Sequence, residues 1–190
     1  NFVQFGGLTR NNLAAWDTAT GLLTAWDPNA RGPVFALAAS SGNVHVGGNF
    51  SSVGGRIRNN VAALDVRTGL AIDWNPNAAG AFAEVKSLAM AGPRVYVGGH
   101  FSSIAGVERS NIAALDATTG AAFPWNPSAD ASVNALLVSG GGVIAGGEFT
   151  RISGQPRNCL AMLDANTALP SAWNPSAGLT AGGTPFVSAL

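Results

Sequence analysis

Charge is scarce in this 190-residue chain: Asp, Glu, Lys and Arg together make up 11% of it, under half the share of an ordinary soluble domain. Ten basic and ten acidic residues cancel, and Lys86 is the sole lysine. A neutral chain lacks the basic footprint that a phosphate backbone demands, which argues against nucleic acid as a partner. Cys159 is the single cysteine, so neither an internal disulfide framework nor a thiolate metal site can be built. No apolar run approaches the length needed to cross a bilayer, so no transmembrane helix is expected. No Ser-His-Asp order and no glycine loop leading into a helix stands out either, and the Gly-Gly pairs end apolar runs, unlike nucleotide fingerprints. What the chain does have is apolar residues (47%), enough for a core, with 25 glycines and 10 prolines for turns.

Self-similarity dominates the sequence. Asn11-Asn12-Leu13-Ala14-Ala15-Trp16-Asp17 returns as Asn59 to Asp65, as Ser110 to Asp116 and as Asn158 to Asp164. Asp17, Asp65, Asp116 and Asp164 are 48, 51 and 48 residues apart, and Trp26, Trp74, Trp125 and Trp173 keep the same spacings. Val46-Gly47-Gly48, Val97-Gly98-Gly99 and Ala145-Gly146-Gly147 mark a third shared position. Each unit resolves into four short apolar runs; in the second unit these are Val34 to Ala39, Asn43 to Val46, Asn60 to Leu64 and Leu70 to Trp74. They are too short for free-standing helices and are bounded by turn residues, including Ser41-Gly42-Asn43 and Asp65-Val66-Arg67-Thr68-Gly69.

Four strands per unit of about 50 residues is the arithmetic of a β-propeller blade. The expected fold is therefore all-β, a propeller or propeller segment with four-stranded antiparallel blades. Its expected parsing is a partial blade over 1–33, blades over 34–84, 85–132 and 133–186, and the first strand of a further blade at 187–190. On this parsing the array forms an open arc, completed by further chain or by a partner. Alternating strands put the long loop Asn49 to Arg58 and the crossover Asn75 to Gly80 on one rim, with the Asp turns on the other.

The phrase Val46-Gly47-Gly48-Asn49-Phe50-Ser51-Ser52-Val53-Gly54-Gly55, with Asn59 to Asp65 and Trp74-Asn75-Pro76-Asn77-Ala78, resembles the delta-60 repeat β-propeller family. That resemblance covers essentially the whole chain. It implies a secreted or cell-envelope bacterial protein and supplies no catalytic residues. A weaker resemblance, in Ala63-Leu64-Asp65, Thr68-Gly69 and Trp74, is to the tryptophan-docking motif of quinoprotein dehydrogenases. There the Trp follows the Gly by one residue fewer, a shift that turns a strand side chain to the opposite face.

The candidate residues each admit two readings. Trp26, Trp74, Trp125 and Trp173 are wedges between blades or, if exposed, sugar-stacking platforms. Asp17, Asp65, Asp116 and Asp164 close turns. Arg10, Arg58, Arg109 and Arg157 bond loop carbonyls, or else hold an anion. The position after Gly-Gly changes chemistry, from Asn1 through Asn49 and His100 to Glu148, as a binding ring or a free surface site would. The functional expectation is a non-catalytic binding or structural module that uses its long-loop face. Its expected partners are other protein chains or the rest of a larger polypeptide, with no cofactor, no metal and no membrane insertion. The alternatives are a lectin-like glycan-binding module and a quinoprotein-like enzyme fragment.

Overall fold

The computed structural model describes residues 2–40, 42–176 and 185–190; Asn1, Ser41 of the first expected turn, and 177–184 of the third expected blade lie outside the described residues. Among the described residues every regular element is a β-strand, so the chain is all-β.

Three sheets of three antiparallel strands repeat along the chain. The first joins Val34–Ser40, Asn43–Gly48 and Val61–Asp65 in that spatial order. The second joins Glu84–Ala91, Arg94–His100 and Ile112–Asp116; the third joins Val133–Ser139, Gly142–Gly147 and Leu160–Asp164. In the first sheet Val44 pairs with Leu64 and Val46 with Ala62. The third strand is apolar on both faces because both are covered: Val61, Ala62, Ala63 and Leu64 are all fully buried, as strands sandwiched between layers must be.

The core lies in the seams between sheets. Val61, Ala63 and Trp74 of one unit pack with Val85, Val95, Phe101, Ala113 and Leu115 of the next. Tyr96, Ile112, Ala114 and Trp125 pack in turn with Val133, Val143, Phe149, Ala161 and Leu163. Alternate residues of one strand thus serve the two neighbouring seams. Close approach is possible because the Gly-Gly ends carry no side chains: a Cβ on Gly47 would sit 2.4 Å from a methyl of Val85. Gly98 meets Val133, and Gly146 meets Val187, in the same way. The Val187 amide donates to the Gly147 carbonyl at 3.0 Å, so this residue packs against the third sheet, although 185–190 form no regular strand. Among the described residues, no ladder joins Phe186–Leu190 to the N-terminal residues.

The fourth run departs from expectation. It is reduced to single bridges, Leu64 to Ala71, Leu115 to Ala122 and Leu163 to Pro170. Ile72 N–H still donates to Ala63 at 3.0 Å, but Ala71 N–H is taken on its other side by Gly54 at 2.9 Å. Beyond that point the chain leaves the ladder because its tryptophan is held in the next unit. The Gly54 contact comes from a small hairpin inside the long loop, Ser52–Val53 against Arg56–Ile57. Gly54 and Gly55 both have positive φ, 60° and 76°, the conformation of a two-residue type I′ turn. Each unit repeats this hairpin.

Candidate functional site

The repeated Asp and Arg side chains, and the indoles of Trp26, Trp74 and Trp125, are engaged with the framework. Trp74 is 2% exposed and Trp125 4%; their indole N–H groups donate to the carbonyls of Asp116 at 2.8 Å and Asp164 at 2.9 Å. Trp26 does the same toward Asp65 at 3.2 Å. The Trp and Asp positions, expected on opposite rims, therefore meet across each seam, because the crossover lies along the outer edge of the next unit. Trp173 is 45% exposed. The buried rings pack edge-on against an aromatic of the second strand: His45 on Trp74 at 4.7 Å and Tyr96 on Trp125 at 5.1 Å. Burial pushes the His45 imidazole below its ordinary value, opposed by backbone groups of Ala117 and Ala38.

The Asp side chains are turn acceptors. Asp65 Oδ1 receives the amides of Thr68 at 2.8 Å and Arg67 at 3.0 Å and the Thr68 hydroxyl at 2.9 Å. Asp17, Asp116 and Asp164 repeat this pattern with Thr20, Thr119 and Thr167. In all four, the amide of that threonine is the main cause of a carboxyl pKa below the usual range.

The repeated arginines clamp backbone. Arg58 donates to Ile57 at 2.9 Å and, across the loop, to Ile72 at 2.8 Å. Arg109 reaches Glu108 and Phe123, Arg157 reaches Pro156 and Ser171, and Arg10 reaches Thr9 and Thr24. The second carbonyl in each set belongs to the shortened fourth run, so the guanidinium supplies the donor that a longer ladder would have supplied. Both terminal nitrogens of each group are occupied while the Nε is buried without a partner among the described residues, a geometry that favours the carbonyl-bonding reading over anion capture.

Asn60 and Asn111 complete the frame. Each lies at positive φ, 67° in both, and donates its side-chain amide to a crossover carbonyl, Ala78 at 3.0 Å and Ala129 at 2.9 Å. Cys159 holds the same place at φ 62°, with its thiol 3.1 Å from the Pro185 carbonyl. Burial raises its pKa, so it is a poor nucleophile.

The variable residues face solvent on the long-loop rim. Asn49, His100 and Glu148 are all exposed. Glu148 and His100 belong to a polar cluster at the rim ends of the first strands. Each first strand carries a bulge, at Phe35, Lys86 and Asn134, which re-aims those side chains. Lys86 lies 3.3 Å from Glu84 and 3.8 Å from Glu148. Asn134 donates to Glu148 at 3.2 Å, and Glu84 pairs with His100 in the ladder. Asn49 is apart from this cluster, in a cleft of about 740 Å³ between successive crossovers, also lined by Arg31, Ser51, Asn59, Asn77 and Phe82. Lys86, Asn134 and Phe82 went unread in the sequence; the signal was a change of chemistry or of length at an otherwise repeated place.

A family model described as a domain of unknown function (DUF5122) beta-propeller matches residues 141–167. No curated protein matches the chain. Among solved structures, the computationally designed Ika4 protein is similar with a TM-score of 0.52 at 17% identity, over 83% of this chain and 78% of that one. The computationally designed Ika8 protein is similar with a TM-score of 0.51 at 18% identity, over 83% of this chain and 39% of that one. At these identities the likeness concerns the fold alone. The repeated antiparallel sheets and the family match together make this an all-β chain of β-propeller type.

Proposed function

We propose that the chain is a non-catalytic binding module of a secreted or cell-envelope bacterial protein, contacting other protein chains through its long-loop face. One observation carries this reading. The repeated Asp and Arg groups and the indoles of Trp26, Trp74 and Trp125 are spent on turns, seams and carbonyls, whereas the residue after Gly-Gly changes from Asn49 to His100 to Glu148 and stays exposed on one rim. Function on a rigid scaffold concentrates in such loops. The extracytoplasmic setting and the kinship with delta-60 repeats rest on the Val46 to Gly55 phrase, on the repeated Gly-Gly-x-Phe that it shares with the later units, and on the short propeller-family match.

The test is a comparison of faces. Immobilised protein is challenged with envelope fractions of the source bacterium, alongside Asn49→Lys/His100→Glu/Glu148→Lys and a short-turn-face variant, Val66→Glu/Arg67→Glu. Loss of the captured partner only in the first variant is the expected outcome. Loss only in the second would move the contact surface to the Asp-turn rim and overturn the reading.

A further inference from the structure

The repeat breaks its own length in one described place. From Val34 to Trp74, from Val85 to Trp125 and from Val133 to Trp173 the chain advances by 40 residues each time. The crossovers between them do not agree: Trp26 to Val34 and Trp125 to Val133 span 8 residues, whereas Trp74 to Val85 spans 11. The extra residues are Ala81, Phe82 and Ala83. They follow Gly80, whose φ of 139° matches the 133° of Gly32 in the shorter crossover.

The base of this extension is pinned. Ala79 donates to Ser103 at 2.9 Å and accepts from Ser102 at 3.0 Å, and Glu84 is paired with His100. Between these anchors Phe82 is 91% exposed and takes a left-handed φ of 57°. A bulky side chain in that region is an outlier that costs energy, and an exposed apolar ring recovers nothing in return. Unlike the left-handed Asn60 and Asn111, whose side chains bond the frame, Phe82 has no framework contact to offset this strain, and that motivates a functional hypothesis for the extension.

Phe82 is one of the residues lining the 740 Å³ cleft, a volume within the range of small-ligand sites. The cleft one unit earlier, lined by Asn11, Asn12 and Asn29, measures about 540 Å³ and has no such ring. Arg31 is the only ionic residue in the larger cleft. Asn59 donates to Asn77 at 3.0 Å, so that, among the described residues, the Asn59 carbonyl keeps acceptor capacity beside the Asn77 amide donors, and Asn49 lines the same cleft. A neighbouring donor and acceptor match two adjacent hydroxyls, each of which both donates and accepts. The flat, electron-rich ring face matches a patch of C–H bonds.

We propose that the cleft bounded by Phe82, Asn49, Asn59 and Asn77 binds a neutral oligosaccharide, with Phe82 stacked on the C–H face of one pyranose ring and the amides bonded to its hydroxyls. This site rests on the reading of the long-loop face as a contact surface and differs from a platform built on the repeated tryptophans, two of which are buried. Isothermal titration with cellotetraose, maltotetraose, xylotetraose, mannotetraose and chitotetraose is the test. At least one sugar binds saturably; Phe82→Ala weakens it roughly tenfold or more, Asn77→Ala weakens it further, and Phe82→Trp retains it with a fluorescence change on sugar addition. Circular dichroism confirms that these exposed substitutions leave the fold intact. Absence of binding across the panel at millimolar sugar, or equal binding by Phe82→Ala, overturns the proposal. Capture of a protein partner through Phe82 without any sugar binding also overturns it, while leaving the contact-face reading standing.

Discussion

Trp74 and Phe82 lie on one crossover, yet Trp74 is 2% exposed and Phe82 91%. A tryptophan recurs at this place in every unit, and Trp74 is buried against the next sheet, its N–H satisfied by the Asp116 carbonyl. The phenylalanine occurs in one described crossover, where it takes a strained φ of 57° and covers nothing. Repetition marks what the fold needs, because every seam poses the same packing problem. Departure from repetition marks what the fold does not need, and a strained, exposed aromatic has to be explained by something other than packing.

The contrast is broken most severely at a seam. Trp125→Ala removes a buried ring that packs against its own unit and the next and leaves the Asp164 carbonyl without its indole donor, and should cost about 3–5 kcal/mol, read as a lowered urea midpoint. Truncating a clamp costs less. Arg58→Ala leaves the Ile57 and Ile72 carbonyls without their side-chain donor and should destabilise by about 1–3 kcal/mol, by the same measurement.

The two seams themselves differ in acid. Burial lowers the His45 pKa from its ordinary 6.5, so between the folded value and pH 6.5 the unfolded chain binds a proton that the folded chain refuses. The neutral-His contribution is fully present above pH 6.5 and is lost as pH falls below it. Replacing His45 with Tyr, as at Tyr96 in the next seam, should flatten the melting temperature between pH 7.5 and 5. The Asp turns act in a separate window below their ordinary 3.8, where protonation removes the turn acceptor. The smallest effect has the opposite sign. Phe82→Gly relieves a left-handed strain and should raise stability by about 1 kcal/mol, whereas any residue serving packing would lose it.

Much of this was legible before any coordinates. The period, the apolar runs, the Asp-x-x-Thr turns (closed by Gly in three units and by Ala168 in the fourth) and the seam packing of Trp74 and Trp125 follow from recurrence, since one solution repeated leaves one pattern. The fourth run was less legible: Leu70 to Trp74 reads as a strand, but its Trp is drawn into the adjoining seam and its ladder is replaced by an arginine. That competition is long-range, and no local propensity encodes it. The hairpin at Gly54-Gly55 was open to reading, because a Gly-Gly pair suits a two-residue turn. The placement of Asn49 in a cleft and Glu148 beside Lys86 was not, since both follow the same Gly-Gly phrase and are separated only by what the neighbouring crossovers and bulges bring near them.

The most direct measurement deletes Ala81 to Ala83, giving the second crossover the length of its neighbours, and follows both unfolding and sugar titration in the same protein. The account predicts an unchanged or raised unfolding midpoint together with loss of oligosaccharide binding. A lowered midpoint, or a deleted protein that binds sugar as before, would contradict it.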